Sequence, residues 1–145
     1  MDPVKFSIES QQVTRSSPDR VLGLILDPVS WPSWQPEIVT TRSPRGADGA
    51  VEGRARLLGF VVEGRSTPVS VGEAHFEEDV VVGVRMRVRY EVRPTSTGGA
   101  TIVRRLNADL PGGFSGRILS FFLKRRLERM QSKVLDELVA QSELA

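Results

Sequence analysis

With 145 residues, 39% hydrophobic and 26% charged, the chain has the makeup of one globular domain, expected to span residues 1–145. It has no cysteine, which excludes disulfides, thiolate nucleophiles and cysteine-ligated metals. The net charge of +2 is unevenly placed: residues 1–110 hold 14 basic and 14 acidic side chains, residues 111–145 six and four.

The opening MDPVKFSIES lacks the basic-then-apolar order of a secretory signal, and no apolar run approaches the ~20 residues of a membrane span, so a cytoplasmic protein is expected. Val4–Thr14 mixes β-branched and aromatic residues with partial alternation, which predicts a strand. Ser16-Ser17-Pro18-Asp19 then supplies a serine N-cap, a proline at the first helical position and an early acid. Val21, Leu22, Ile25 and Leu26 follow at helical spacing until Asp27-Pro28 stops the run.

Ser30–Gln35 fits one more short helical turn before Pro36. From Glu37 to about Asp109 the pattern is β, with turns expected at Ser43–Gly49, Leu58-Gly59, Glu77–Asp79 and Pro94–Gly99. The clearest strand is Val84–Arg93. Val84, Met86, Val88, Tyr90 and Val92 share one face, and Arg85, Arg87, Arg89, Glu91 and Arg93 share the other. After Pro111-Gly112-Gly113 the period lengthens. Apolar residues from Ile118 to Leu138 recur at three- and four-residue steps, which predicts an amphipathic helix of about seven turns and ~40 Å.

This order predicts an α+β fold: a strand, two short helices, about six antiparallel strands and one long C-terminal helix. The dry face of such a sheet needs a cover, and the final helix is the element large enough. A strongly curved sheet around one helix leaves an interior that large side chains plug or that stays open as a cavity.

The chain resembles the SRPBCC superfamily, the START/Bet v 1-like helix-grip proteins, and above all its bacterial polyketide cyclase/dehydrase branch. The features that carry the resemblance are Ser17-Pro18-Asp19-Arg20-Val21, Leu26-Asp27-Pro28, Trp31-Pro32-Ser33-Trp34-Gln35-Pro36, Gly53, Val71-Gly72-Glu73, Gly98-Gly99-Ala100-Thr101 and the long last helix. One departure stands out, because Ala74-His75-Phe76-Glu77 replaces the usual double proline after the glutamate. The resemblance implies a curved antiparallel sheet wrapped around the C-terminal helix, with an interior pocket for a hydrophobic small molecule such as a lipid or polyketide. It spans proteins of many roles, so binding or transport and a metal-free aromatase/cyclase activity both remain open.

The cavity candidates, from apolar periodicity and the resemblance together, are Trp34, Leu57, Val69, Val71, Val84, Met86, Val88, Tyr90, Phe114, Ile118 and Phe122. Both tryptophans, Trp31 and Trp34, fall between prolines. Either both fasten this corner to the sheet, or Trp34 faces the ligand with Trp31 packed behind it. If the protein is an enzyme, Tyr90, Glu73 or His75 would move protons, with Glu73 and His75 two apart on one strand face.

His75 is the only histidine, so no zinc-type metal site is expected, and no cofactor. Glu77-Glu78-Asp79 reads as an acidic surface turn. Gly112-Gly113-Phe114-Ser115-Gly116 lacks the Gly-Lys-Ser/Thr ending of a phosphate loop and reads as a strand-to-helix joint. The strand arginines lack aromatic neighbours on their face, and no recognition motif is present, so sequence-specific nucleic-acid binding is not expected. Arg117, Lys124, Arg125, Arg126, Arg129 and Lys133 form a patch opposed only by Glu128. It is either the wet side of the helix, a weak contact for an acidic membrane surface, or the docking face of a partner-binding protein. A monomer and a homodimer are equally compatible with the sequence.

Overall fold

The computed structural model describes residues 4–42, 49–57, 59–110 and 114–144. Strand β1 (Val4–Thr14) leads into helix α1 (Pro18–Ile25), a short 3-10 turn (Pro28–Ser30) and helix α2 (Trp31–Trp34). Strands β2 (Ile38–Thr41), β3 (Val51–Leu57), β4 (Phe60–Val71), β5 (His75–Val81), β6 (Arg85–Pro94) and β7 (Ala100–Leu110) follow. Helix α3 (Phe114–Ser142) ends the chain. The seven strands form one antiparallel sheet in the order β1-β7-β6-β5-β4-β3-β2, so the first strand closes against the last and β2 forms the far edge.

The sequence signals act where they stand. Ser17 Oγ accepts the Arg20 N–H at 3.3 Å, and Pro18 opens α1. Asp27 ends that helix and starts the next turn, its Oδ1 accepting the Val29 N–H at 3.2 Å. In β6 the alternation holds: Met86, Val88, Tyr90 and Val92 are buried, while Arg85, Arg87 and Arg93 are exposed. α3 lays Leu123, Leu127, Val134, Leu135 and Leu138 on the concave face, where they join Ile102, Leu106 and Val88 in the core. At ~1.5 Å per residue its 29 residues run roughly 43 Å, enough to cross the sheet.

The turn at 94–99 forms as expected, with the Thr95 N–H bonded to the Gly99 carbonyl and Gly98 at φ +88. The expected turn at Glu77–Asp79 does not. These three residues lie inside β5, paired with Arg89, Val88 and Arg87 of β6. The connections instead fall at 72–74 and at Val82–Val84, where Gly83 takes φ +74. Gly53 is required for another reason, because a Cβ there would strike the Thr40 carbonyl of β2. Its bare Cα lets the edge strand close in beside the cavity described next. The expected turn at 43–48 and the joint at 111–113 lie outside the described residues.

Candidate functional site

A cavity of about 110 Å³ lies between the concave side of the sheet, α2 and the middle of α3. Trp31 of α2, Ile38 of β2 and Val51 of β3 form one wall. Val80, Val82, Met86, Val88 and Leu106 form the sheet wall, and Leu127 and Met130 close the side of α3. The mouth carries Thr40, Arg54, Arg56 and Arg65, all exposed, with Glu37 beside them. Glu37 couples the two banks: its carbonyl accepts the Arg56 N–H at 2.7 Å, and its carboxylate meets Arg126 of α3 at 3.7 Å.

Gln35 and Thr41 add polar groups beside α2, and one polar cluster is buried against the sheet wall. Ser66 of β4, Glu78 of β5 and Arg104 of β7 are buried and border the same space. The Ser66 hydroxyl donates to Glu78 Oε2 at 2.6 Å. Arg104 is turned to other partners, giving its Nε to the Tyr90 hydroxyl at 3.0 Å and its Nη1 to Gln131 Oε1 at 2.6 Å. Gln131, on the buried stripe of α3, returns its amide N–H to the carbonyls of Ile8 and Arg104, which ties the helix to β1 and β7. No cation stands within ion-pair distance of Glu78 among the described residues. Burial therefore dominates and raises its carboxyl to about 7, against the lowering effects of the Ser66 bond and the more distant Arg104 charge. Burial likewise raises the Tyr90 phenol.

The structure brings few of the sequence candidates to this space. Met86 and Val88 line it. Trp34 does not: it is 1% exposed, packed edge-on against Tyr90 at 6.0 Å, with its indole N–H on Ser30 Oγ at 3.0 Å. Trp31 is the cavity indole instead, held by a 2.9 Å bond to the Ile25 carbonyl, so the two tryptophans exchange their expected places. Tyr90 packs between Trp34 and Phe76 and bonds the lining residue Arg104 through its hydroxyl, but does not itself border the cavity.

Val84 is half-buried against the core but does not border the cavity. Val69 and Val71 are exposed, Val69 in the bulge between Pro68 and Ser70 and Val71 at the end of β4, while Ser66 is the residue of that strand that turns inward. Ile118 and Phe122 are exposed as well. Phe122 stands about 100° round the helix from Leu123, off the buried stripe. The side chains of Leu57 and Phe114 lie outside the described residues.

The proton-moving candidates separate too. Glu73 is exposed in the 72–74 connection. His75 shares the outer face of β5 with Glu77 and Asp79 and bonds Ser70 Oγ at 2.7 Å. Ser66, Glu78, Arg104 and Gln131 are the residues that pattern reading missed. Their signal was present: Phe76, Glu78 and Val80 alternate inward, as do Ile102, Arg104 and Leu106, so a charge stands at a core position in each strand. No group of three or more His, Asp or Glu among the described residues could hold a metal ion.

This architecture has close parallels at low sequence identity. A Thermus thermophilus protein, TTHA0849, superposes with a TM-score of 0.81 at 15% identity over 94% of this chain and 97% of its own. The Zhui aromatase/cyclase from Streptomyces sp. R1128 gives 0.83 at 12% identity, covering 97% and 94%. A START superfamily protein from Mycobacterium smegmatis gives 0.76 at 15%, covering 93% and 97%. Among curated proteins no sequence matches. These likenesses establish the helix-grip fold of the START/Bet v 1 superfamily. The model of one family, described as polyketide cyclase/dehydrase and lipid transport, matches residues 5–143, and the chain belongs to that family.

Proposed function

We propose that the protein binds a largely apolar small molecule in the cavity, with a polar end of that molecule set against Glu78. The observation that carries this reading is a buried carboxyl beside the apolar wall of Val80, Val82, Met86, Val88 and Leu106, with one hydroxyl as its hydrogen-bond partner. Apolar walls supply affinity without direction, at ~0.8 kcal/mol per CH₂ buried. The polar group supplies orientation. A neutral Glu78 donates a proton to a ligand carbonyl or hydroxyl oxygen, and an ionised one accepts from a ligand hydroxyl. A lipid or a polyketide both meet this description, and the family's description names both.

A second reading, an aromatase/cyclase-type enzyme, draws on the same residue. A buried carboxyl raised to about 7 can, in its ionised form, take a proton from carbon beside a carbonyl and return it to oxygen. Glu78 takes the place in this reading that sequence patterns gave to Glu73, His75 and Tyr90. The mechanism needs no metal or cofactor.

The test is titration with a lipophilic probe, read by tryptophan emission, beside native mass spectrometry of freshly purified protein. Trp31→Phe should remove most of the signal and Trp34→Phe should keep it. Ala55→Phe, which narrows the cavity from half-buried β3, should weaken probe binding at least tenfold while the thermal melt stays cooperative. Unchanged binding in Ala55→Phe would show that the probe sits elsewhere.

A further inference from the structure

Two residues expected to line the interior, Ile118 and Phe122, face out, and they do so together with Phe121. On α3 these three stand at i, i+3 and i+4, which places them on one side of the helix. Ile118 is 48% exposed, Phe121 57% and Phe122 60%. The next position on that side is Arg125, whose guanidinium lies 5.8 Å from the Phe121 ring centre. Lys124, Arg126, Arg129 and Lys133 follow, all exposed, with Glu128 as the one acid among them and Arg126 also reaching Glu37.

A second apolar projection stands at the same end of the molecule. The β3–β4 hairpin carries Phe60, 73% exposed, and Val61 beside it. Strand register fixes its position: Arg65 of β4 pairs with Val81, Val81 with Arg85, Arg85 with Asp109 and Asp109 with Lys5. Phe60 lies beyond this row, and α3 begins four residues after Leu110, which ends β7 just past the same row. Hairpin and helix start therefore share one end of the molecule. The cavity mouth, with Arg54, Arg56 and Arg65, opens beside them.

We propose that this end docks on an anionic lipid bilayer. Phenylalanine and isoleucine side chains enter the boundary between headgroups and acyl chains, while arginine and lysine, on long apolar stems, stay at headgroup level. A bilayer bearing negative headgroups complements both features at once. A second copy of the chain suits the surface less well, because an isologous contact would set one row of cations against another. Docking would bring the cavity mouth to the membrane, where an apolar ligand is concentrated.

Flotation with vesicles tests this. The wild-type protein should float with vesicles of phosphatidylcholine containing about a third phosphatidylglycerol, and stay behind with pure phosphatidylcholine. High salt should weaken the association severalfold. Phe121→Asp with Phe122→Asp should lower it at least tenfold, and Lys124→Glu with Arg125→Glu should abolish it. Probe titration of the cavity in each variant separates loss of docking from loss of fold or of ligand binding. Failure of the wild type to float on anionic vesicles would overturn the proposal, as would equal flotation on both vesicle types or by the double-aspartate variant. A wild-type dimer by light scattering that the aspartates dissociate, without any flotation, would instead assign the face to a second copy.

Discussion

Glu77, Glu78 and Asp79 are consecutive carboxylic acids on one strand, and the sheet divides them between two solvents. Asp79 points outward to Arg87, with bonds of 2.7 and 3.0 Å, and Arg87 holds its carboxyl below the usual range. Glu77 also points outward and meets Arg89 at 3.3 Å, in a row that continues through Glu91 to Arg93. Arg93 and Arg89 together depress the Glu91 carboxyl. Glu78 points inward, meets Ser66, and is raised to about 7. The outer acids stay hydrated and are individually worth little. The inner one carries a desolvation cost that the Ser66 bond and the Arg104 charge only partly offset.

The largest expected effect breaks the dry face itself. Val88 lies opposite Glu78 on β6 and is buried, so Val88→Glu would place a second carboxyl beside the first. The variant should fail to fold or lose more than about 4 kcal/mol, read by urea denaturation. Arg104→Ala comes next. It strands the Tyr90 hydroxyl and Gln131 Oε1 in the core, and about 3 kcal/mol of stability should go with it.

Glu78→Gln should act with the opposite sign. Between pH 4.5 and about 7 the folded protein holds a proton on Glu78 that the unfolded chain has released. Native stability therefore falls as pH rises through that window, by up to about 3 kcal/mol, and the deficit persists above it. Glutamine keeps the Ser66 bond and removes the ionisation. The variant should be more stable than wild type at pH 8, with the gap closing toward pH 4.5, while probe binding loses its pH dependence. On the outer face, Arg87→Ala should change stability by only about 0.5 kcal/mol, because its pair with Asp79 is water-exposed on both sides. A large effect there would erase the contrast between the two faces.

The fold was legible where one period ran without interruption. β1 spans Val4–Thr14 as its composition predicts, β6 alternates as its arginines predict, and the α1 cap and stop act at Ser17 and Asp27. The site was legible only in Met86 and Val88. Three acids in a row read as a turn, because charge outweighed the inward alternation of Phe76, Glu78 and Val80. In β4 the inward position is Ser66, a polar residue that apolar patterning passes over, and Val69 and Val71 fall at the bulge and at the strand's end. The tryptophans could not be told apart because a four-residue helix buries both, and neighbouring backbone decides which one borders the cavity. Ile118 and Phe122 read as core because they are apolar, although the buried stripe among the described residues begins at Leu123.

A carboxyl at the cavity wall that holds its proton up to neutrality should be directly visible by NMR. The most direct test is the ¹³C carboxyl chemical shift of Glu78, followed from pH 4 to 9 and assigned by its disappearance in Glu78→Gln. The midpoint should fall near 7 and move when a lipophilic ligand fills the cavity. A midpoint near 4.5, indifferent to ligand, would contradict the retained proton.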